Sequence, residues 1–267
     1  MYLWNDQSLQ EISEHQISDL FQGNGVFETI VVTEKARIIL WHRHVQRLKK
    51  GAQFLGSQLT IDFNELHNAL VTHFNQNNMK TCLRLNLIFL PQKKDLIIRY
   101  FPFQWPQSPV RLYVSNQYYR GNSPHYQYKT LSRIENNFFY RLAQDNKYDD
   151  FLILDSHSNV LETCLANIFF VRTDGQLETP QAHNMPFLNG VVRQYILDYQ
   201  KELNIQCVEK NIPFNSIEKY DQAFITNGLR LIQPVSQIAH WHFSQTDDTW
   251  SLRELLKKSW KTTSQLF

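Results

Sequence analysis

The pattern of apolar and polar positions along the chain predicts alternating blocks of strand and helix. Runs rich in β-branched and aromatic residues, bounded by turn-forming residues, indicate strands. In the N-terminal half such runs cover residues 25–33, 37–41, 83–90, 95–101 and 110–115. We expect 25–33 and 37–41 to be neighbouring strands joined by a short turn, and 83–90 and 95–101 to form a hairpin.

Two segments have a helical repeat instead. Between residues 42 and 56, apolar residues recur at steps of three and four, which predicts an amphipathic helix. A second repeat begins at Ile134 and continues through Phe138 and Leu142. These three side chains are therefore expected to form the buried face of another helix.

The C-terminal half predicts a further set of strands. Residues 151–155, 160–171 and 177–180 are separated by polar turns, which is typical of a β-meander. A helix is expected from Val191 to about Leu203, followed by a strand at 222–226.

The segment 116–128 is polar, contains Gly and Pro, and is typical of a connector. We therefore predict an α+β protein with two domains. A smaller N-terminal α/β domain would cover residues 1–115, and a larger C-terminal α/β domain would cover residues 129–267.

Composition narrows the class of protein. The chain has 267 residues and a net charge of +2, from 27 basic minus 25 acidic residues, which favours neither nucleic acid nor an acidic partner. The polar N-terminus has no run typical of a signal peptide or membrane span. Three widely spaced cysteines match neither a disulfide framework nor a metal site, and no histidines have metal-ligand spacing. We expect reduced thiols, a cytoplasmic location and no metal.

Four short motifs contain candidate functional residues. Lys129 opens the run KTLSRIENN, and Glu162 opens ETCLANIFF 33 residues later (162 − 129). The run LNGVVRQ places the amides of Val191 and Val192 at a helix N-terminus, and Thr226 ends a strand. Each has an ordinary explanation by itself: a solvated lysine, a surface glutamate, a helix capped by Asn189 and a strand-end threonine.

Together, a lysine, an acid and two anion-binding turns are what a protein needs to hold pyridoxal phosphate. The motifs, with HRHVQRL at residues 42–48, resemble the fold-type IV (class IV) aminotransferase family from about residue 23 to 235. The resemblance implies a D-amino acid aminotransferase-like fold and pyridoxal 5'-phosphate as cofactor. It implies that Lys129 binds the cofactor covalently and that Glu162 contacts the pyridine nitrogen. The residues implied for the phosphate are Arg47, Val191, Val192 and Thr226.

Within this family the motifs most resemble 4-amino-4-deoxychorismate lyases. Thr29 stands where these lyases also have threonine, and KTLSRIENN is similar to their lysine motif. The resemblance implies a small-molecule substrate with carboxylates, release of 4-aminobenzoate and pyruvate in folate biosynthesis, and a homodimer. Thr29 is a candidate for passing a proton to the leaving group. Arg120 and Arg84 are candidates for binding the substrate carboxylates.

Two alternatives stay open. A branched-chain or D-amino acid aminotransferase using 2-oxoglutarate has the same fold. The Arg-Gly element by which D-amino acid aminotransferases hold the substrate carboxylate is replaced here by Leu90-Pro91, which counts against that activity. An inactive relative that acts as a binding protein is the non-enzymatic alternative.

Overall fold

The computed structural model describes residues 2–5, 8–11, 23–77, 79–91, 94–244, 249, 251–256 and 258. The chain divides into two compact units. Unit 1 comprises Met1–Trp105 and Tyr128–Arg133, and unit 2 comprises Pro106–Gln127 and Ile134–Phe267.

Unit 1 is a five-stranded antiparallel sheet with two helices. In space the strands follow the order β2-β1-β5-β4-β3. The elements are β1 (Tyr2–Asn5), β2 (Ser8–Glu11), β3 (Val26–Val32), α1 (Trp41–Phe54), α2 (Phe63–Gln76), β4 (Leu83–Leu90) and β5 (Asp95–Pro102).

Only one of the two faces of this sheet packs against α1 and α2. Val26, Ile30, Leu85 and other alternate strand residues pack against the apolar stripes of α1 and α2 to form the core of unit 1. Successive strand residues point to opposite faces. The residues between these core positions therefore lie on the face that α1 and α2 leave uncovered. We call it the open face.

Unit 2 contains a larger mixed sheet, in which eight strands follow the order β11-β10-β9-β12-β13-β6-β7-β8 and β14 pairs with β13. Its strands are β6 (Val110–Tyr113), β7 (Asp150–Leu154), β8 (Val160–Thr163), β9 (Asn167–Val171), β10 (Leu177–Pro180), β11 (Cys207–Lys210), β12 (Gln222–Asn227), β13 (Leu231–Ile238) and β14 (Trp241–His242). The helices are α3 (Ile134–Asp145) and α4 (Val191–Asp198).

Most predicted elements are confirmed, including the hairpin, although residues 92 and 93 of its turn lie outside the described residues. The predicted strand at 37–41 is wrong: Ile38 makes only an isolated bridge to Val32, and α1 begins at Trp41. The predicted meander is interrupted, because the run 160–171 forms two strands, β8 and β9. β8 pairs with β7, whereas β9 pairs with β10 and β12. α4 also ends at Asp198 rather than near Leu203.

The predicted buried face of α3 is wrong by one position. Ile134 is 83% exposed and Phe138 is 45% exposed, whereas Phe139 and Ala143 are buried. Phe139 stacks on Phe151 of β7 with ring centroids 4.8 Å apart, and this contact fixes the rotation of the helix.

The compact units differ from the predicted domain boundaries. β6 belongs to unit 2, because it pairs in parallel with β13 and β7. Residues 128–133, which include Lys129, belong to unit 1 because they run beside β3. Residues 116–127 of the predicted connector belong to unit 2, which begins at Pro106, and Tyr128 belongs to unit 1.

None of the helices in the described part of the chain has the length and apolar run needed to cross a bilayer. Cys82, Cys164 and Cys207 are all described, and none of them forms a disulfide.

Candidate active site

Lys129 lies along the edge of β3 in unit 1. Its carbonyl oxygen accepts a hydrogen bond from the Phe27 amide at 2.9 Å, and Leu131 N–H donates to the Gly25 carbonyl at 2.8 Å. Lys129 Nζ lies 4.5 Å from the centroid of the Phe27 ring. A Cβ on Gly25 would come within 2.8 Å of the Phe89 carbonyl oxygen, so only glycine permits this close approach.

Beside the lysine strand, Glu28 is buried between two basic residues of α1. Arg47 donates from Nε at 2.8 Å and from Nη2 at 2.6 Å to the two carboxylate oxygens, and His44 Nδ1 lies 2.6 Å from Oε2. Burial raises the pKa of Glu28, but Arg47 and His44 lower it more, to about 2. Glu28 therefore remains a carboxylate and holds Arg47 in one orientation.

The same cluster affects His44. Burial lowers its pKa, and the charges of Arg47 and Lys129 lower it further, so the pKa lies below its ordinary value although Glu28 raises it. The neutral imidazole is thus favoured near Lys129. Because the ion pair uses Nε and Nη2 of Arg47, its Nη1 lies outside that pair. The phosphate-binding role of Arg47 stays a prediction.

Thr29 lies on the open face, two residues after Phe27. Its hydroxyl oxygen accepts a hydrogen bond from Asn86 Nδ2 at 2.9 Å, and the same amide donates to the Glu28 carbonyl at 3.0 Å. Because Asn86 is the donor in this bond, the hydroxyl proton of Thr29 is left to be donated elsewhere.

In unit 2, Glu162 lies on β8 and is 7% exposed. Its Oε1 accepts a hydrogen bond from Arg120 Nη1 at 2.6 Å, and Asn167 Nδ2 lies 3.4 Å from Oε2. The sequence analysis missed Asn167, whose only signal was its place in the ETCLANIFF motif. The carboxylate is thus held from both sides.

The structure places Arg120 differently from the expectation of a substrate-binding residue. It is 1% exposed and also donates from Nε to Glu135 at 2.8 Å, while its guanidinium lies 4.4 Å from the centroid of the Tyr126 ring. Burial lowers its pKa, and the charges of Glu162 and Glu135 more than offset this, so the pKa is raised overall. Arg120 is therefore a permanent cation that positions Glu162.

α4 begins beside the same carboxylate. Gly190 is its N-cap residue and makes no side-chain cap hydrogen bond, while its own N–H donates to Asn167 Oδ1 at 3.0 Å. Asn189 is not the cap, because its Oδ1 accepts from Arg193. The first turn of α4, at Val191 and Val192, is therefore not capped by the Asn189 side chain, as an ordinary helix start here would be.

Thr226 completes this group. It lies on β12 directly opposite Asn167 of β9, is 1% exposed, and has a buried hydroxyl with no hydrogen-bond partner among the described residues. A buried polar atom without a partner costs about 1–3 kcal/mol. Such an orphaned donor beside a helix N-terminus fits a bound anion.

The structure brings the predicted residues together in two groups. In unit 1, Lys129, Thr29 and Arg47 lie around β3, and Arg84 lies on the neighbouring strand β4. In unit 2, Glu162 and Thr226 are linked through Asn167, which also holds the start of α4.

The family model described as amino-transferase class IV matches residues 25–238. This chain belongs to that family. The match covers most of both units and contains every predicted site residue. The predicted α+β class IV aminotransferase-like fold is thereby confirmed.

Class IV relatives of this chain include both transaminases and lyases. A Rickettsia felis protein named "Probable branched-chain-amino-acid aminotransferase" is 26% identical over 268 residues, covering 93% of this chain and 87% of the relative. A Bacillus subtilis aminodeoxychorismate lyase is 24% identical over 253 residues, covering 88% and 85%. The crystal structure of a Thermoproteus uzoniensis branched-chain aminotransferase with norvaline has a TM-score of 0.85 at 23% identity, covering 97% and 94%.

Enzymes of class IV depend on pyridoxal phosphate, so the predicted cofactor is confirmed. When bound, this cofactor supplies an electron sink for bonds at the carbon next to the substrate nitrogen. Unit 2 fits such a group, because the Thr226 hydroxyl, which has no partner among the described residues, and the start of α4 at Gly190 are both suited to bind an anion.

Proposed function

We propose that Lys129 binds the cofactor covalently and that Glu162 contacts its pyridine nitrogen. The carboxylate of Glu162 is held by Arg120 and Asn167, which supports a fixed position against a planar ring. Thr226 and the first turn of α4, with the amides of Val191 and Val192, would hold the phosphate. Arg47 would add a guanidinium whose orientation Glu28 sets.

We propose further that the enzyme is a 4-amino-4-deoxychorismate lyase, releasing 4-aminobenzoate and pyruvate. The observation that carries this choice is the environment of Thr29. Its hydroxyl lies on the open face with Phe27, whose ring contacts Lys129, and Asn86 leaves the hydroxyl proton available. A positioned proton donor is what departure of an enolpyruvyl group requires.

The residues would divide the chemistry as follows. Lys129 takes the proton from the ring carbon that bears the substrate nitrogen. The bond between the neighbouring ring carbon and the ether oxygen breaks, and Thr29 delivers a proton to the departing enolpyruvyl group. Loss of this group leaves an aromatic ring, which makes the reaction downhill. Glu162, ion-paired with Arg120, would hold its carboxylate at the pyridine nitrogen.

A transaminase that uses 2-oxoglutarate is the second candidate. It is favoured by the names of several relatives, including the Rickettsia felis protein. A transaminase requires an amino-group acceptor for continued turnover, whereas the lyase requires none. The two functions are therefore separable by one assay.

The deciding experiment incubates the purified holoenzyme with chorismate, glutamine and the amidating synthase, without any added keto acid. The lyase is expected to form 4-aminobenzoate and pyruvate in equal amounts. Turnover that appears only after 2-oxoglutarate is added, with no 4-aminobenzoate, would reject the lyase in favour of the transaminase.

A Lys129→Ala variant tests the covalent role. We expect a folded protein that forms no borohydride-stable adduct with the cofactor and loses at least about 1,000-fold in activity, since the catalytic base is removed. Lys50→Ala, on the exposed end of α1, is the matched control. An adduct retained by Lys129→Ala at another lysine would refute the assignment.

A further inference from the structure

Three arginines gather on the open face of the sheet in unit 1. Asn86 of β4 lies directly opposite both Thr29 of β3 and Arg99 of β5. Arg84 lies two residues before Asn86 on the same face, diagonal to Arg99, and diagonal Cα atoms are separated by about 7–8 Å. The row Thr29–Asn86–Arg99 and its neighbour Arg84 therefore form one polar surface.

Arg133 reaches this surface from the segment that contains Lys129. Its guanidinium lies 5.8 Å from the centroid of the Phe27 ring, and Lys129 Nζ lies 4.5 Å from the same ring. Phe27 is on the open face, two residues before Thr29. Arg133 and the proposed catalytic lysine are thus neighbours of one side chain.

Two members of the cluster, Arg84 and Arg99, have polar atoms without a partner in the part of the chain that the structure describes. Among the described residues, neither Arg84 nor Arg99 forms an ion pair, and the buried Nε atom of each has no hydrogen-bond partner. Burial lowers the pKa of Arg84, and the like charges of Arg99 and Arg133 lower it further. A buried Nε atom without a partner is costly, and an anion bound on this face would supply the partner that the described residues do not.

We propose that Arg99 and Arg84, assisted by Arg133, bind the carboxylates of the substrate on this face and select dicarboxylic over monocarboxylic molecules. Arg99 is the new assignment, because it lies outside every motif of the family resemblance. The proposed substrate has two carboxylates, so this inference rests on the proposed function and gives it a recognition surface.

The test is direct binding rather than turnover. Isothermal titration of the holoenzyme compares 3-(1-carboxyvinyloxy)benzoate, a dicarboxylate without the reactive amine, with benzoate. Wild type is expected to prefer the dicarboxylate. Arg99→Gln is expected to lower this preference about tenfold or more, because a charge-assisted hydrogen bond to one carboxylate is lost. Arg84→Gln should have a similar effect, and Arg99→Lys an intermediate one.

Arg141→Gln, on the exposed surface of α3, is the matched control and should keep the wild-type preference. Cofactor content and circular dichroism establish that each variant is folded. If Arg99→Gln does not fold, the binding preferences of Arg99→Lys and Arg84→Gln test the proposal instead. A preference within about twofold of wild type in these variants overturns the proposal. So does a wild-type enzyme without any preference.

The outcome is separable from that of the proposed function. If wild type forms no 4-aminobenzoate but its dicarboxylate preference depends on Arg99, the lyase is rejected and the recognition surface stands. If 4-aminobenzoate forms while Arg99→Gln keeps the full preference, the lyase stands and the surface is rejected.

Discussion

Among single residues, Glu28 carries a buried negative charge between two basic side chains. It lies on β3, and its partners His44 and Arg47 are one turn apart on α1. A sequence shows neither the burial nor the pairing, because the partners are 16 and 19 residues away. The register of β3 against α1 creates this cluster.

Glu28→Gln should destabilise unit 1 strongly at neutral pH. Removing one partner from a buried ion pair costs about 3–5 kcal/mol in the free energy of unfolding. Urea denaturation measures this loss, and Glu202→Gln on the exposed surface of unit 2 is the control. A loss below about 1 kcal/mol would mean that the pair is solvated.

The same residue predicts a pH dependence. Since the pKa of Glu28 is lowered to about 2, its stabilising effect is complete above the ordinary value of 4.5 and is lost as pH falls towards 2. The free energy of unfolding of wild type should therefore fall in this window by about 3 kcal/mol more than that of Glu28→Gln. Parallel curves for the two proteins would contradict the buried ion pair.

Replacing Thr226 should affect the stability of the apoenzyme and the cofactor affinity of the enzyme in opposite directions. Thr226→Val removes a buried hydroxyl that has no partner among the described residues, so the apoenzyme should be as stable as wild type or more stable. The holoenzyme should bind pyridoxal phosphate about 10-fold or more weakly, because a hydrogen bond to a charged group is lost.

Thermal unfolding of the apoenzyme and titration with the cofactor measure the two effects, and Thr226→Ser should restore binding. Unchanged cofactor affinity in Thr226→Val would exclude this hydroxyl from the phosphate site. A destabilised apoenzyme would instead indicate that the hydroxyl has a structural partner.

At the scale of elements, the start of α4 depends on one glycine. A Cβ on Gly190 would collide with Asn167 Oδ1, the atom that accepts the Gly190 N–H. Because Asn167 also reaches Glu162, a displacement here would move both the helix start and the carboxylate. The LNGVVRQ motif indicated the helix start, but it did not show which atom fills the space beside Gly190.

Gly190→Ala should therefore weaken cofactor binding about 10-fold or more, through displacement of the groups expected to bind the cofactor. Gly121→Ala is the matched control, because a Cβ there meets nothing within 4 Å. Equilibrium titration of the two apoenzymes with pyridoxal phosphate gives the comparison. Equal affinities would show that α4 does not depend on the Gly190–Asn167 contact.

The helix α3 shows what periodicity leaves undecided. A repeat of three and four places Ile134 and Phe138 on one face, yet Phe139 and Ala143 are the buried residues. Both faces carry aromatic residues, so the repeat alone cannot choose between them. The stacking of Phe139 on Phe151 makes the choice.

For the whole molecule, the resemblance to class IV enzymes predicts a homodimer. Light scattering coupled to size-exclusion chromatography should give twice the chain mass of 31.8 kDa. The mass should hold on dilution to the concentrations used for activity, because subunit association follows mass action. A mass of one chain in the active holoenzyme would contradict the expected dimer.

The sequence by itself determined most of the strands, because these depend on local patterns. Its short motifs determined the fold class and the cofactor through their resemblance to class IV enzymes. Alternation within a strand and motifs such as ETCLANIFF are complete within a few residues. The roles of the individual site residues remain predictions, which rest on these motifs.

Only the tertiary structure decided which side chains meet. Arg120 lies against Glu162, 42 residues away, and Arg99 joins Arg84 through the register of β4 and β5. Burial, ion pairing and cross-strand neighbours depend on residues that are distant in the chain. No local pattern encodes them, because the free energy of these contacts arises only when the units have packed.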